Sequence, residues 1–226
     1  MDQGTRNILT WIEVTIYVFL AAIIAIGFYL AFSDEEFFRN TYVPEDGILE
    51  TSTAIMLFSA AIILAIRFLR ERETHPRCFS VFSVLMIVAL IFVSGEEISW
   101  GQRIFGIETG EFFLENNRQS ETNLHNLEVR GVNLNKLVFG KILGLFLVVF
   151  YLILPVLYSR RKRVHRLVSS LYFPVPKIHH GIAMLTFAIV IDQIPSSKRG
   201  ELNEVCLGAF ALLLVTSAQN IKRRRG

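Results

Sequence analysis

CFSVFSVLMIVALIFVSGEEISWGQR, residues 78 to 103, sets 18 uncharged and mostly apolar residues directly before two acids, a tryptophan, an amide and an arginine. At about 1.5 Å of rise per residue, the apolar part reads as a helix able to cross most of a bilayer. The polar cluster then marks where that helix leaves the membrane.

The rest of the chain is of the same kind. Its 226 residues are 52% hydrophobic and 19% charged, with a mean hydropathy of +0.46, too apolar for an ordinary soluble domain. The fold class this predicts is all-α, a polytopic transmembrane helical bundle. Its 19 Phe residues suit lipid-facing helices as well as a core, so they identify no site. The net charge of +3 is small, and the basic residues fall in short clusters between apolar segments, which argues against nucleic acid as a partner. Membrane lipid is the expected partner. Only Cys78 and Cys206 are available; they are predicted toward opposite faces, so neither a disulfide nor CxxC metal spacing is expected.

The first apolar segment, residues 8 to 32, would be about 37 Å long as a helix. It is too long for a cleaved signal and has just Arg6 before it, so it reads as a retained anchor. Further spans are predicted at about 48–69, 78–100, 137–158, 178–194 and 202–220, six in one domain covering 1–226. The fifth is short and follows FPVPKIHH, where Pro174 and Pro176 disfavour a continuous helix. A re-entrant or surface segment, leaving five spans, is the alternative there.

Lys and Arg set the expected direction. Arg67, Arg70, Arg72 and Arg77, then Arg160 to Arg163 with Arg166 and Lys177, and finally Lys222 to Arg225 all fall on one side if six helices alternate. The positive-inside rule makes that side cytoplasmic, with both termini. The opposite side opens with the acidic stretch SDEEFFRNTYVPEDG, 33 to 47, and carries an outer loop at 101–136. Phe112, Phe113 and Leu114 in that loop could dip into the interface.

This topology gathers polar residues in one layer. Glu50 opens the second span, Glu96 and Glu97 close the third, Asp192 and Gln193 close the fifth, and Glu204 opens the sixth. A solvated helix end explains Glu50 or Glu204 alone. If EEISWGQR prolongs the third helix, Glu96, Ser99, Trp100 and Arg103 share one face and Glu97 and Gly101 another. The bland outcome is a network in which Arg103 neutralises Glu96 or Glu97 and Trp100 anchors at the headgroups. The functional outcome is two carboxylates that divide acid and base work or bind a cation.

NNRQSETNLHNLE, 116 to 128, supplies the second half. Glu121 and His125, four apart, would face the same way on a helical turn and could hold a metal or act as a base with its orienter. Asn117, Gln119, Asn123 and Asn126 offer amides to sugar, phosphate or headgroup oxygens, although asparagines are also ordinary turn residues. The candidate catalytic set is therefore Glu96, Glu97, Glu121 and His125. Arg103, Trp100, Gln102, Asn117, Asn123, Asn126, Asp192 and Glu50 are candidate substrate contacts. Glu97, Glu121 and His125 are the metal candidates, and a divalent cation is the only cofactor they suggest. His179 and His180 are expected to be an interfacial pair at the other face, a helix length from Asp192. Lys141 could snorkel or neutralise an acid. GxSxG, HExxH, P-loop and GxGxxG motifs are absent.

GEEISWGQRIFG followed by NNRQSETNLHN, with Glu45, Asp46 and Gly47 upstream, resembles a group of uncharacterised bacterial multi-pass membrane proteins. The resemblance covers about 45 to 127 and implies a bacterial inner (plasma) membrane location and no activity. The membrane hydrolases that include alkaline ceramidases use a Ser, an Asp and three His around zinc. Here the outer side offers only His125, and no zinc amidase mechanism carries over. Three functions follow from these residues. The first is an enzyme or lipid-handling protein acting on a lipid or lipid-linked headgroup at the outer face. The second is a cation- or proton-coupled transporter using Glu50, Glu96, Glu97 and Asp192. The third is an assembly partner of another membrane protein or of a second copy.

Overall fold

The computed structural model describes residues 3–45, 47–124, 126–129, 132–133 and 142–220. Five helices in it are long and apolar enough to cross a membrane. They are α1 (Gln3–Ser33), α2 (Ile48–Glu71), α3 (Arg77–Glu97), α4 (Leu143–Arg160) and, after the shorter apolar α5 (Ile178–Asp192), α6 (Gly200–Ser217). Helices answer the membrane's demand that backbone N–H and C=O groups pair within their own segment. The chain is a helical bundle. The third helix stops at Glu97 rather than about residue 100, and the last runs 200–217 rather than 202–220. The start expected for the fourth, at 137, lies outside the described residues.

α6 is the centre of the bundle. More than half of its apolar window, 56%, is buried, against 17% for α3 at the periphery. Leu202, Val205, Ala209, Phe210 and Leu213 are fully buried and pack with Leu20 of α1, Leu49 of α2 and Ile191 of α5. α2 lies between α6 and α3. Small residues line it where helices meet, and the Ser94 hydroxyl of α3 donates to the Ala54 carbonyl at 2.9 Å. Val81, Val84, Leu85, Val88 and Ile91 of α3 are exposed, an apolar face suited to lipid and not to water.

The connections form two ends of opposite character. At the basic end, the surface helix Lys162–Ser170 leads into the extended FPVP segment, whose two prolines are buried. There the backbone is satisfied by residues that follow α6: Val175 N–H donates to Asn220 Oδ1 at 2.9 Å, Asn220 Nδ2 to the Phe173 carbonyl at 2.7 Å, and Gln219 N–H to the Val175 carbonyl at 2.9 Å. α5 begins after this segment and meets α4 at a π-turn, Val149–Ile153. A Cβ on Gly181 would lie 2.2 Å from the Tyr151 carbonyl oxygen, so only glycine allows this approach. At the acidic end, Phe38 and Val43 turn back into the core, and Tyr42 donates to the Ile23 carbonyl at 2.7 Å. Burial pushes the Tyr42 phenol up to about 12.

Candidate functional site

The polar cluster that ends α3 does not prolong the helix. Ser99, Trp100 and Gly101 have φ of 47°, 55° and 74°, three successive left-handed residues. Gly101 adopts this freely, whereas the two side-chain-bearing residues each cost about 1 to 2 kcal/mol. What holds them is a set of contacts made by the reversal. Trp100 folds back over Gly95, where a Cβ would stand 2.8 Å from the indole ring. Its Nε1–H donates to Glu96 Oε1 at 2.8 Å, and its ring meets Phe92 edge-on at 5.6 Å. A short helix, Gln102–Phe105, follows and closes on Gly106.

The loop after it is pinned onto this turn. Glu121 accepts from the Ser99 hydroxyl and from Asn123 Nδ2 (3.0 Å), and pairs with Arg103. Leu124 N–H donates to Glu96 Oε2 at 2.5 Å, and Thr122 N–H to Gln102 Oε1 at 2.8 Å. Asn117 organises the loop from inside: its Nδ2 donates to Asn123 Oδ1 at 2.8 Å, while its Oδ1 accepts the N–H groups of Gln119 and Glu121. Asn126 Nδ2 donates to Gln119. Glu96, Ser99, Asn117, Glu121 and Asn123 are all buried. Residues 117–124 are irregular, with Ser120 at φ 55°, so the expected helical turn through Glu121 is not formed. Arg103 pairs with Glu121, an acid that the sequence did not name as its partner.

Glu96 and Glu97 diverge. Glu97, also buried, leaves Oε2 without a hydrogen-bond partner among the described residues. Its carboxylate interacts electrostatically with Glu50 of α2, Glu201 of α6 and, more weakly, its neighbour Glu96, and Glu204 interacts with Glu97 and Glu50. Four carboxylates from three helices thus share one region. Such a group favours a shared proton or a bound cation, because like charges in low dielectric repel strongly. Lys198 acts on Glu50, Glu201 and Glu204, yet its ammonium pairs with Glu45.

The expected polar layer is therefore two networks. Glu96, Trp100, Gln102, Arg103, Asn117, Glu121, Asn123 and Asn126 form a closed latch, and Glu50 with Glu97 belongs to the carboxylate cluster. Glu97 and Glu121 lie in different networks, and His125 and Lys141 fall outside the described residues. Asp192 bonds to Arg199 at 3.0 Å beside an open groove of about 690 Å³ that Ser196 and Asn203 also line. Glu201 is a cluster member that the sequence did not single out; its spacing of three from Glu204 on one helix was the available signal. His179 and His180 lie at the other end, where Glu13 of α1 joins them.

Beside the latch, Ile104, Phe105, Ile107, Phe112 and Leu114 are all more than half exposed. The acidic end thus combines a carboxylate cluster around buried Glu97 with an apolar rim, an arrangement suited to a ligand at a membrane interface. Compared with protein families, curated proteins and solved structures, the chain matches none.

Proposed function

We propose that this helical membrane protein binds the cationic group of a membrane lipid or lipid-linked headgroup at Glu97, Glu50, Glu201 and Glu204. The observation that carries the reading is the buried Glu97 oxygen with no described hydrogen-bond donor, on a carboxylate that interacts electrostatically with carboxylates of two other helices. An ammonium group supplies both the charge and the N–H donors that this oxygen lacks. The exposed apolar residues of the loop support an interfacial ligand, since they would rest among acyl chains beside the cluster. The latch fits a supporting role: the Glu96 and Glu121 carboxylates hold the loop in place, which favours binding over acid–base turnover by those groups.

In this reading the chain crosses a bacterial inner membrane six times, counting α5, with the basic end and both termini in the cytoplasm. The test is lipid binding by the purified chain, measured by native mass spectrometry in detergent with phosphatidylethanolamine and phosphatidylglycerol. Preferential retention of the amine lipid, reduced about tenfold or more by Glu97→Gln, is the expected result; tenfold corresponds to about 1.4 kcal/mol. Equal retention of both lipids, or an unaffected Glu97→Gln protein, would overturn the proposal.

A further inference from the structure

At the opposite end from the carboxylate cluster, α1 and the start of α5 bring together Glu13, His179 and His180. Each offers a ligand atom, and these atoms all lie within 4.8 Å of one another. His179 Nε2 is 3.2 Å from Glu13 Oε2, and His180 Nε2 is 3.8 Å from Glu13 Oε1. We propose that Glu13, His179 and His180 form a binding site for a borderline divalent transition-metal ion of the zinc type, independent of the headgroup site.

Three observations support it. His180 is completely buried, and neither of its ring nitrogens has a hydrogen-bond partner among the described residues. A buried imidazole without partners is costly, and a coordinated ion removes that cost by taking up the ring nitrogen's lone pair. Two imidazoles and one carboxylate are the donor set of open zinc sites, which keep a fourth position for water or another ligand. Both histidines stand in the first turn of α5, so one helix end holds the two imidazoles side by side next to Glu13 of α1.

Lys177 is the competitor. Its ammonium bonds to Glu13, and its side chain is one-third exposed. A metal ion entering between Glu13 and the histidines displaces that ammonium toward solvent. The bound ion then ties α1 to α5 directly after the extended FPVP segment. Removing the Lys177 side chain should therefore strengthen metal binding, and removing Glu13 or His179 should weaken it.

The experiment uses the full chain in detergent, stripped with chelator and titrated with Zn²⁺ and Co²⁺. We expect one equivalent per chain, Co²⁺ bands of a four- or five-coordinate site, and at least tenfold weaker binding in Glu13→Gln and His179→Ala. His179 is half exposed at its side chain, which makes His179→Ala a safer variant than any change at buried His180. Lys177→Ala should bind several-fold more tightly, and Glu97→Gln should bind as the parent does, separating this site from the headgroup site. Less than a small fraction of one equivalent, or parental affinity in both ligand variants, would overturn the proposal. Unchanged affinity in Lys177→Ala would also count against it, because the ammonium could not then be competing for Glu13.

Discussion

Glu121→Ala tests the latch most directly. Glu121 is 5% exposed and receives the Ser99 hydroxyl, Asn123 Nδ2 and the Arg103 guanidinium. The Arg103 side chain is half exposed, so its ion pair contributes at most about 1 kcal/mol. Ser99 and Asn123 are 2% and 1% exposed; each loses an acceptor, at about 1 to 3 kcal/mol apiece. Water entering the space relieves part of this, leaving a net cost of about 3 kcal/mol. Opening of the loop then becomes more than about 100-fold more frequent, at tenfold for about 1.4 kcal/mol. Glu121→Gln retains one carbonyl oxygen for Ser99 and Asn123 and turns its NH₂ toward the half-exposed Arg103, so its cost should be about 1 kcal/mol. Hydrogen–deuterium exchange of residues 117–124 in nanodiscs reads both numbers. A rise of less than about fivefold for Glu121→Ala, or equal rises for the two variants, would refute the assignment of Glu121 as the centre of the latch.

Trp100→Phe keeps an aromatic ring against Gly95 and Phe92 but removes the donor to Glu96 Oε1, so it should cost about 1.5 to 3 kcal/mol and speed exchange at the Leu124 amide. Gly181→Ala sets a methyl against the Tyr151 backbone carbonyl, which cannot rotate away; a loss of about 1 to 3 kcal/mol or more is expected, and an unchanged melting temperature in detergent would sink the idea of close α4–α5 contact. Tyr42→Phe removes the donor to Ile23, costing about 1 kcal/mol. Because the folded Tyr42 phenol is raised from 10 to about 12, its stabilisation is complete below pH 10 and is lost as pH rises toward 12. The stability gap between the parent and Tyr42→Phe should therefore hold up to about pH 10 and narrow above it; a gap that widened would contradict the sign.

The bundle was legible because hydropathy over 17 or more residues is a strong signal, and the prolines of FPVP marked the break before α5. The interior of the polar end was not legible in the same way. A helix continued through EEISWGQR puts Ser99 and Arg103 on the Glu96 face, whereas the observed reversal sends both to Glu121. The left-handed conformation at Ser99 is stabilised by Glu121 and Asn123, some 20 residues away, which local propensity does not register. Glu13 does carry a signal in the sequence: it is an acid inside the apolar run WIEVTIYV, and an ionisable residue there calls for a partner. His179 and His180 stand out as a pair as well, but more than 160 residues separate them from Glu13, and only the packing of α1 against α5 joins them.

Glu96 and Glu97 show why adjacency in sequence is a poor guide to shared chemistry at a helix end. Successive residues on a helix point about 100° apart. Within the helix that angle puts Glu97 toward α2 and α6, where it meets Glu50 and Glu201. Glu96 instead turns to the loop, where Trp100 and the Leu124 N–H satisfy both of its oxygens. The reversal at residues 99–101 gives the two acids different hydrogen-bonding surroundings, because it returns Trp100 to Glu96 and brings Arg103 to Glu121. Had the helix continued, Arg103 would have been two turns from Glu96 on the same side and available to compensate the pair. With that arginine engaged at Glu121, the charges that act on Glu97 among the described residues are those of other carboxylates, and it is this separation of partners that makes the cluster, and not the latch, the place to look for a ligand.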